Sequence, residues 1–151
     1  MAQNRGRPTG SGVVWPSAKT VYALRACTVL AAAYPDRRLK AAEIAKESNV
    51  PLRFLSRILG EMRSAEILAS RRGYQGGYIF ERDPSEITVA ELTLAISGYE
   101  LFAPVAPDRN QPSVPFVDEL QRRLRQVASD ALATTSIAQI TTRPATRREP
   151  V

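Results

Sequence analysis

Around residue 50 the chain ends one helical pattern and begins another within four residues. Ser48-Asn49-Val50-Pro51 interrupts the first, since proline removes a backbone donor and disfavours helix at the residue before it. Immediately afterwards Leu55, Ile58, Leu59 and Met62 fall at i, i+3, i+4 and i+7, one apolar stripe along a helix. Directly opposite that stripe lie Arg53, Arg57, Gly60 and Ser64. The preceding helix is predicted over 39–47, with Ala42, Ile44 and Ala45 as its apolar contacts. Two helices joined by so short a turn, the second with an apolar back and a basic front, make a helix-turn-helix.

The flanking segments fit around that pair. Residues 67–70 and 78–81 are short β-like runs on either side of Arg71-Arg72-Gly73-Tyr74-Gln75-Gly76-Gly77, which predicts a hairpin with a flexible basic tip, a wing. Residues 17–34 are Ala-rich, with Val21, Leu24, Cys27, Leu30 and Ala31 at helical spacing, Ser17 as cap and Pro35-Asp36 as stop. A largely buried first helix is expected there. Residues 88–97 read as a further helix, with Thr88 as N-cap, Glu91 at the capping-box position and Gly98 as terminator.

Pro104, Pro107, Pro112 and Pro115 then mark an irregular stretch, followed by a longer helix over 115–133. Its Phe116, Leu120, Leu124, Val127 and Ala131 are separated by 4, 4, 3 and 4 residues. Such a stripe outside the compact core needs a partner, most simply the same helix of a second subunit. Thr134-Thr135-Ser136 recaps a last short turn holding Ile137 and Ile140. The predicted class is mainly α with a small β-hairpin: a winged helix-turn-helix plus a long C-terminal dimerisation helix. Its parts are a disordered basic arm (1–16), the DNA-binding domain (17–97), a loop (98–113), the dimerisation and terminal helices (114–140), and a disordered tail (141–151).

Charge and chemistry narrow the function. The 151 residues carry a net charge of +6. Residues 1–80 hold 13 basic and 5 acidic side chains, whereas 81–151 hold 8 and 10. The basic half is where a polyanion would bind. One cysteine and no histidine leave no disulfide framework, no zinc site and no Ser-His or Cys-His nucleophile pair, so an enzyme is not expected. Cys27 on a buried Ala-rich face reads as a packed thiol rather than a sensor. No apolar run approaches the ~20 residues of a membrane span, and the N-terminus is polar where a signal peptide needs an apolar core. A cytoplasmic, nucleoid-associated protein is the expectation.

Several runs, in order, resemble the Rrf-two family of bacterial transcription regulators. They are Lys19-Thr20-Val21-Tyr22-Ala23-Leu24-Arg25-Ala26, Glu43-Ile44-Ala45, Phe54-Leu55 with Leu59, Ser70 through Tyr78, and Glu86-Ile87-Thr88-Val89. The resemblance implies that the third helix enters the major groove with Arg53, Ser56 and Arg57, and that Arg72 at the wing base reaches the minor groove. The full candidate DNA-binding set is Lys19, Arg53, Phe54, Ser56, Arg57, Gly60, Arg71, Arg72, Tyr74 and Gln75, with Gly60 open to a second reading as a tolerated helix defect. Helical phase alone points to Arg53 and Arg57, without choosing between guanine edges and phosphates.

The sequence also departs from the family. Cluster-binding members place three cysteines before the long helix, but 98–114 holds neither Cys nor His, and Val21 stands where some members carry a carboxylate. Glu100 and Asp108 are poor substitutes for thiolates, so no iron-sulfur cofactor and no metal are expected. Pro51 replaces a frequent Ser N-cap, which can move the helix start by a residue.

Arg5-Gly6-Arg7-Pro8 matches the core of an AT-hook, whose extended Arg-Gly-Arg fits a narrow A·T minor groove. The expected function is therefore a homodimeric, operator-specific DNA-binding regulator, a repressor, with space for a small-molecule effector between core and dimer helix. The competing reading is a winged-helix protein-association module that uses its C-terminal helix and needs no arginine cluster.

Overall fold

The computed structural model describes residues 17–98, 110 and 114–142. Their order is α1 (Ala18–Ala33), α2 (Ala41–Ser48), α3 (Leu52–Ser64), β1 (Leu68–Arg71), β2 (Gly77–Phe80), a single 3₁₀ turn (Pro84–Glu86), α4 (Val89–Ser97), α5 (Pro115–Thr134) and α6 (Ile137–Thr142). The arm with Arg5, Gly6, Arg7 and Pro8 lies outside the described residues, as do Glu100 and Asp108.

Ser17 caps α1, its hydroxyl accepting from the Thr20 N–H at 3.2 Å. The buried face of α1 is Thr20, Ala23, Ala26, Cys27 and Leu30. Val21, Leu24 and Ala31, expected inside, are only half-buried. The reason is crowding: α2, α3, α4 and α6 all pack on α1, and small alanines on the contact face let several helices approach one axis closely.

Two expectations for α2 are corrected. Ala42 is exposed, and only Ile44, Ala45 and Ser48 are buried. Leu39 is not in the helix; it is extended and exchanges backbone hydrogen bonds with Tyr78, at 3.0 and 2.7 Å. That places Leu39 beside the wing as a one-residue third strand. Asn49 adopts the left-handed conformation (φ 54°), and the Val50 N–H returns to the Ala45 carbonyl at 3.1 Å, closing α2 as a Schellman-type cap does. Pro51 supplies no side-chain cap, and α3 begins at Leu52.

β1 and β2 pair antiparallel in the register Leu68↔Phe80 to Arg71↔Gly77. The ladder lies one residue nearer the tip than expected, because Arg71 and Gly77 enter it. Gly77 has φ +134°, and a Cβ there would meet the Leu39 carbonyl oxygen at 2.5 Å. Only glycine permits the wing to lie this close to the α1–α2 connection.

Beyond the wing, Thr88 caps α4 by accepting from the Glu91 N–H at 3.1 Å. Gly98 ends the helix in the left-handed conformation (φ 73°). The Glu91 carboxylate, expected to complete a capping box, is paired with Arg82. No residue of α5 is buried. Its chain nevertheless returns to the core, where Ile137 of α6 is fully buried and its N–H donates to the Ile87 carbonyl at 2.8 Å. No helix among the described residues is long and apolar enough to cross a membrane.

Candidate nucleic-acid interface

Leu55, Ile58, Leu59 and Met62 are at most 2% exposed. Each such side chain contributes roughly 1.5–3 kcal/mol on burial, against about 0–1 kcal/mol for an exposed ion pair. The back of α3 therefore sets its orientation, and its front is left for other work. Arg53, Ser56, Arg57 and Ser64 all stand exposed there, with Gly60 half-buried between them.

The two front arginines are braced differently. The Arg53 guanidinium lies over the Phe54 ring, 4.6 Å from its centroid, a cation–π contact. Phe54 is 46% exposed, and Tyr22 of α1 packs beside it with ring centroids 6.3 Å apart. Arg57 donates from Nε to Glu61 Oε1 at 3.3 Å. Ser56 donates back to the Leu52 carbonyl at 2.9 Å, and a Cβ on Gly60 would meet nothing within 4 Å.

Lys19, expected to contact DNA, is half-buried and bonded within the protein. Its Nζ donates to Glu61 Oε1 at 2.9 Å and to the Ile96 carbonyl at 2.8 Å, joining α1 to α3 and α4.

Arg71, Arg72, Tyr74 and Gln75 are exposed on the wing, Tyr74 at 94%. The wing is tied to α3 by Arg63 Nη1, which donates to Ser70 Oγ at 3.4 Å, and to the α1–α2 connection through Leu39. Among the described residues Arg53, Arg71 and Arg72 form no ion pair. The α3 arginines and the wing arginines thus stand on two elements that pack together and are bridged by the Arg63–Ser70 contact. Leu39, Glu61 and Arg63 are supports that sequence reasoning missed; only the i, i+4 spacing of Arg57 and Glu61 was a readable signal.

The profile of the Rrf2 family, described as an iron-dependent transcriptional regulator, matches residues 16–143. The chain belongs to the Rrf2 family. An rrf2-like HTH-type transcriptional regulator of Rhodobacter capsulatus is 36% identical over 121 residues, 74% of this chain and 77% of the relative. An HTH-type regulator of Mycobacterium tuberculosis is 37% identical over 82 residues, 54% of this chain and about half of the relative, 51%. The structure is similar to that of CymR, the global cysteine regulator of B. subtilis, with a TM-score of 0.77 at 23% identity over 87% of this chain and 99% of that one. At that identity the likeness shows the fold, a winged helix. This protein is therefore a transcriptional regulator of the Rrf2 family with a DNA-binding fold.

The family's description implies iron, and the residues of this Rrf2 protein do not fit an iron-sulfur cluster. Clusters are held by several thiolates, or thiolates with imidazoles. Cys27 is the only cysteine and histidine is absent. The Cys27 thiol is fully buried, and burial pushes its pKa up to about 12, away from the thiolate that iron requires. Among the described residues no three His, Cys, Asp or Glu side chains converge.

Proposed function

We propose that this Rrf2 regulator binds duplex DNA as a homodimer, without an iron-sulfur cluster, and represses by occupying a pseudo-palindromic operator. The observation that supports the reading is the pair of arginine-bearing surfaces on α3 and the wing, bridged by the Arg63–Ser70 contact, with the wing anchored on the α1–α2 connection by Leu39 and Tyr78. Arg53, Ser56, Arg57 and Gly60 face the major groove; Arg71, Arg72, Tyr74 and Gln75 follow the wing into the adjacent minor groove. Phe54 and Lys19 serve that surface as supports, and Arg5, Gly6, Arg7 and Pro8 extend it as a minor-groove arm.

The dimer rests on α5. Phe116 is 77% exposed, Leu124 55% and Val127 68%, and with Leu120 and Ala131 they form one stripe that two copies can cover. Two-fold symmetry then sets half-sites about one helical turn apart. The segment between α4 and α5 lacks the family's cysteines, so an inducing signal reaches the protein by a route other than a cluster, such as a small molecule.

The test is duplex binding by the full chain as salt is raised. Affinity is expected to fall steeply, as phosphate neutralisation demands, and Arg53→Ala, Arg57→Ala and Arg72→Ala are each expected to weaken it by about 1–3 kcal/mol where a base is read. No measurable duplex binding at low salt, or binding indifferent to all three substitutions, overturns the reading.

A further inference from the structure

Glu61 is the only acidic side chain on α3, and it sits where the exposed surface meets the rest of the fold. Both of its oxygens are within reach of Lys19, whose Nζ is 2.9 Å from Oε1 and 2.7 Å from Oε2. The same ammonium donates to the Ile96 carbonyl at 2.8 Å, one of the last carbonyls that α4 cannot satisfy internally. A flexible carboxylate is thereby fixed from α1 and α4 together. Glu61 is 27% exposed while Arg57, on its outer side, is 79% exposed.

The exposed i, i+4 pair of Arg57 and Glu61 contributes little to stability by itself, so stability does not explain why Arg57 is drawn onto the Lys19-held carboxylate. Geometry does. Bidentate recognition of a base edge needs the planar guanidinium fork held in one orientation, and an arginine on a bare helix face is free to turn. Glu61 engages Arg57 at Nε, which leaves both terminal Nη groups free to donate outward. Lys19 in turn prevents Glu61 from following Arg57 as it moves.

We propose that Glu61 is a positioning residue that orients Arg57 for base recognition, with Lys19 holding Glu61 in place. The inference rests on the placement of α3 against DNA under Proposed function. It carries a signature of its own, because a carboxylate near phosphates repels them. Removing the Glu61 charge should therefore leave or raise affinity for unselected DNA while lowering it for the selected sequence.

The test uses the full chain, a duplex recovered by selection from a random library, and a scrambled duplex of equal length. Glu61→Gln keeps the side-chain volume and an acceptor but removes the charge. Affinity for the scrambled duplex is expected to hold or rise, affinity for the selected duplex to fall, and their ratio to drop about 5- to 10-fold, part of what one bidentate contact is worth. In an Arg57→Ala background the Glu61→Gln change in the ratio is expected to vanish. Lys19→Gln should lower the ratio in the same direction, and it reads the same link if Glu61→Gln fails to fold.

Equal rises on both duplexes would reduce Glu61 to a repelling charge. Equal falls with a lower melting temperature would reduce it to a helix contact, and an effect persisting without Arg57 would break the link; each overturns the proposal. A wild-type chain that enriches no duplex overturns the DNA reading and this inference with it. A wild-type chain that discriminates, beside a Glu61→Gln chain that discriminates equally well, overturns the inference alone.

Discussion

Gly60 and Gly77 are under opposite constraints. A Cβ on Gly77 would run into the Leu39 backbone at a φ of +134°, so Gly77→Ala should destabilise the protein by more than about 1 kcal/mol, readable in a urea melt. Gly60 has open space around its Cβ position and interrupts a helix, so Gly60→Ala should stabilise the free protein by about 1 kcal/mol. If the glycine admits the DNA backbone or a base edge, the same variant binds duplex more weakly. Greater stability with unchanged binding would remove Gly60 from the interface.

Cys27 gives a pH-dependent expectation. Its native thiol is held at about 12 against an ordinary value of 9.0, so the unfolded chain ionises first. The stability this burial provides is fully present below the ordinary value and is lost as pH rises toward about 12. Thiol labelling at pH 8 should accordingly follow unfolding rather than precede it.

At this scale the front of α3 was legible and its flank was not. Arg53 and Arg57 follow from helical phase alone. The placements of Phe54 and Glu61 depend on Tyr22 and Lys19, the latter 42 residues from Glu61, and no local pattern announces that packing.

Elements were legible where their own periodicity was strong. The α3 stripe and the caps at Ser17, Thr88 and Gly98 were all read correctly. Leu39 was read into α2 because an apolar residue just before a helical run looks like its first turn; a partner almost forty residues away decides otherwise. On α1, Cys27 and Leu30 are buried as expected while Val21, Leu24 and Ala31 give way to alanines for a related reason. A helix surrounded by neighbours buries its smallest residues, and an apolar stripe does not register alanine as contact.

α5 presents the converse case, a strong stripe that the described residues leave unburied. Leu120→Glu combined with Leu124→Glu should convert a dimer to a monomer in sedimentation without unfolding the core, since neither side chain is buried in the chain itself. Operator affinity should fall with it, because each half-site would then be bound separately. A double variant that remains dimeric would move the interface away from α5.

Across the molecule, charge and architecture agree. The basic excess of the first 80 residues coincides with the elements that carry α3 and the wing, and the acidic excess lies in the half that carries α5. That division suits a protein with one end against a polyanion and the other against a copy of itself. The proposed absence of a cluster bears on what the protein senses, while the α3 and wing surfaces carry the arginines either way.

The most direct measurement is selection of bound fragments from a random duplex library by the purified full chain at moderate salt. The account predicts enrichment of a pseudo-palindrome with half-sites about one helical turn apart, in iron-free buffer as readily as with iron present. Recovery of no common motif, or of one only when iron is supplied, would contradict it.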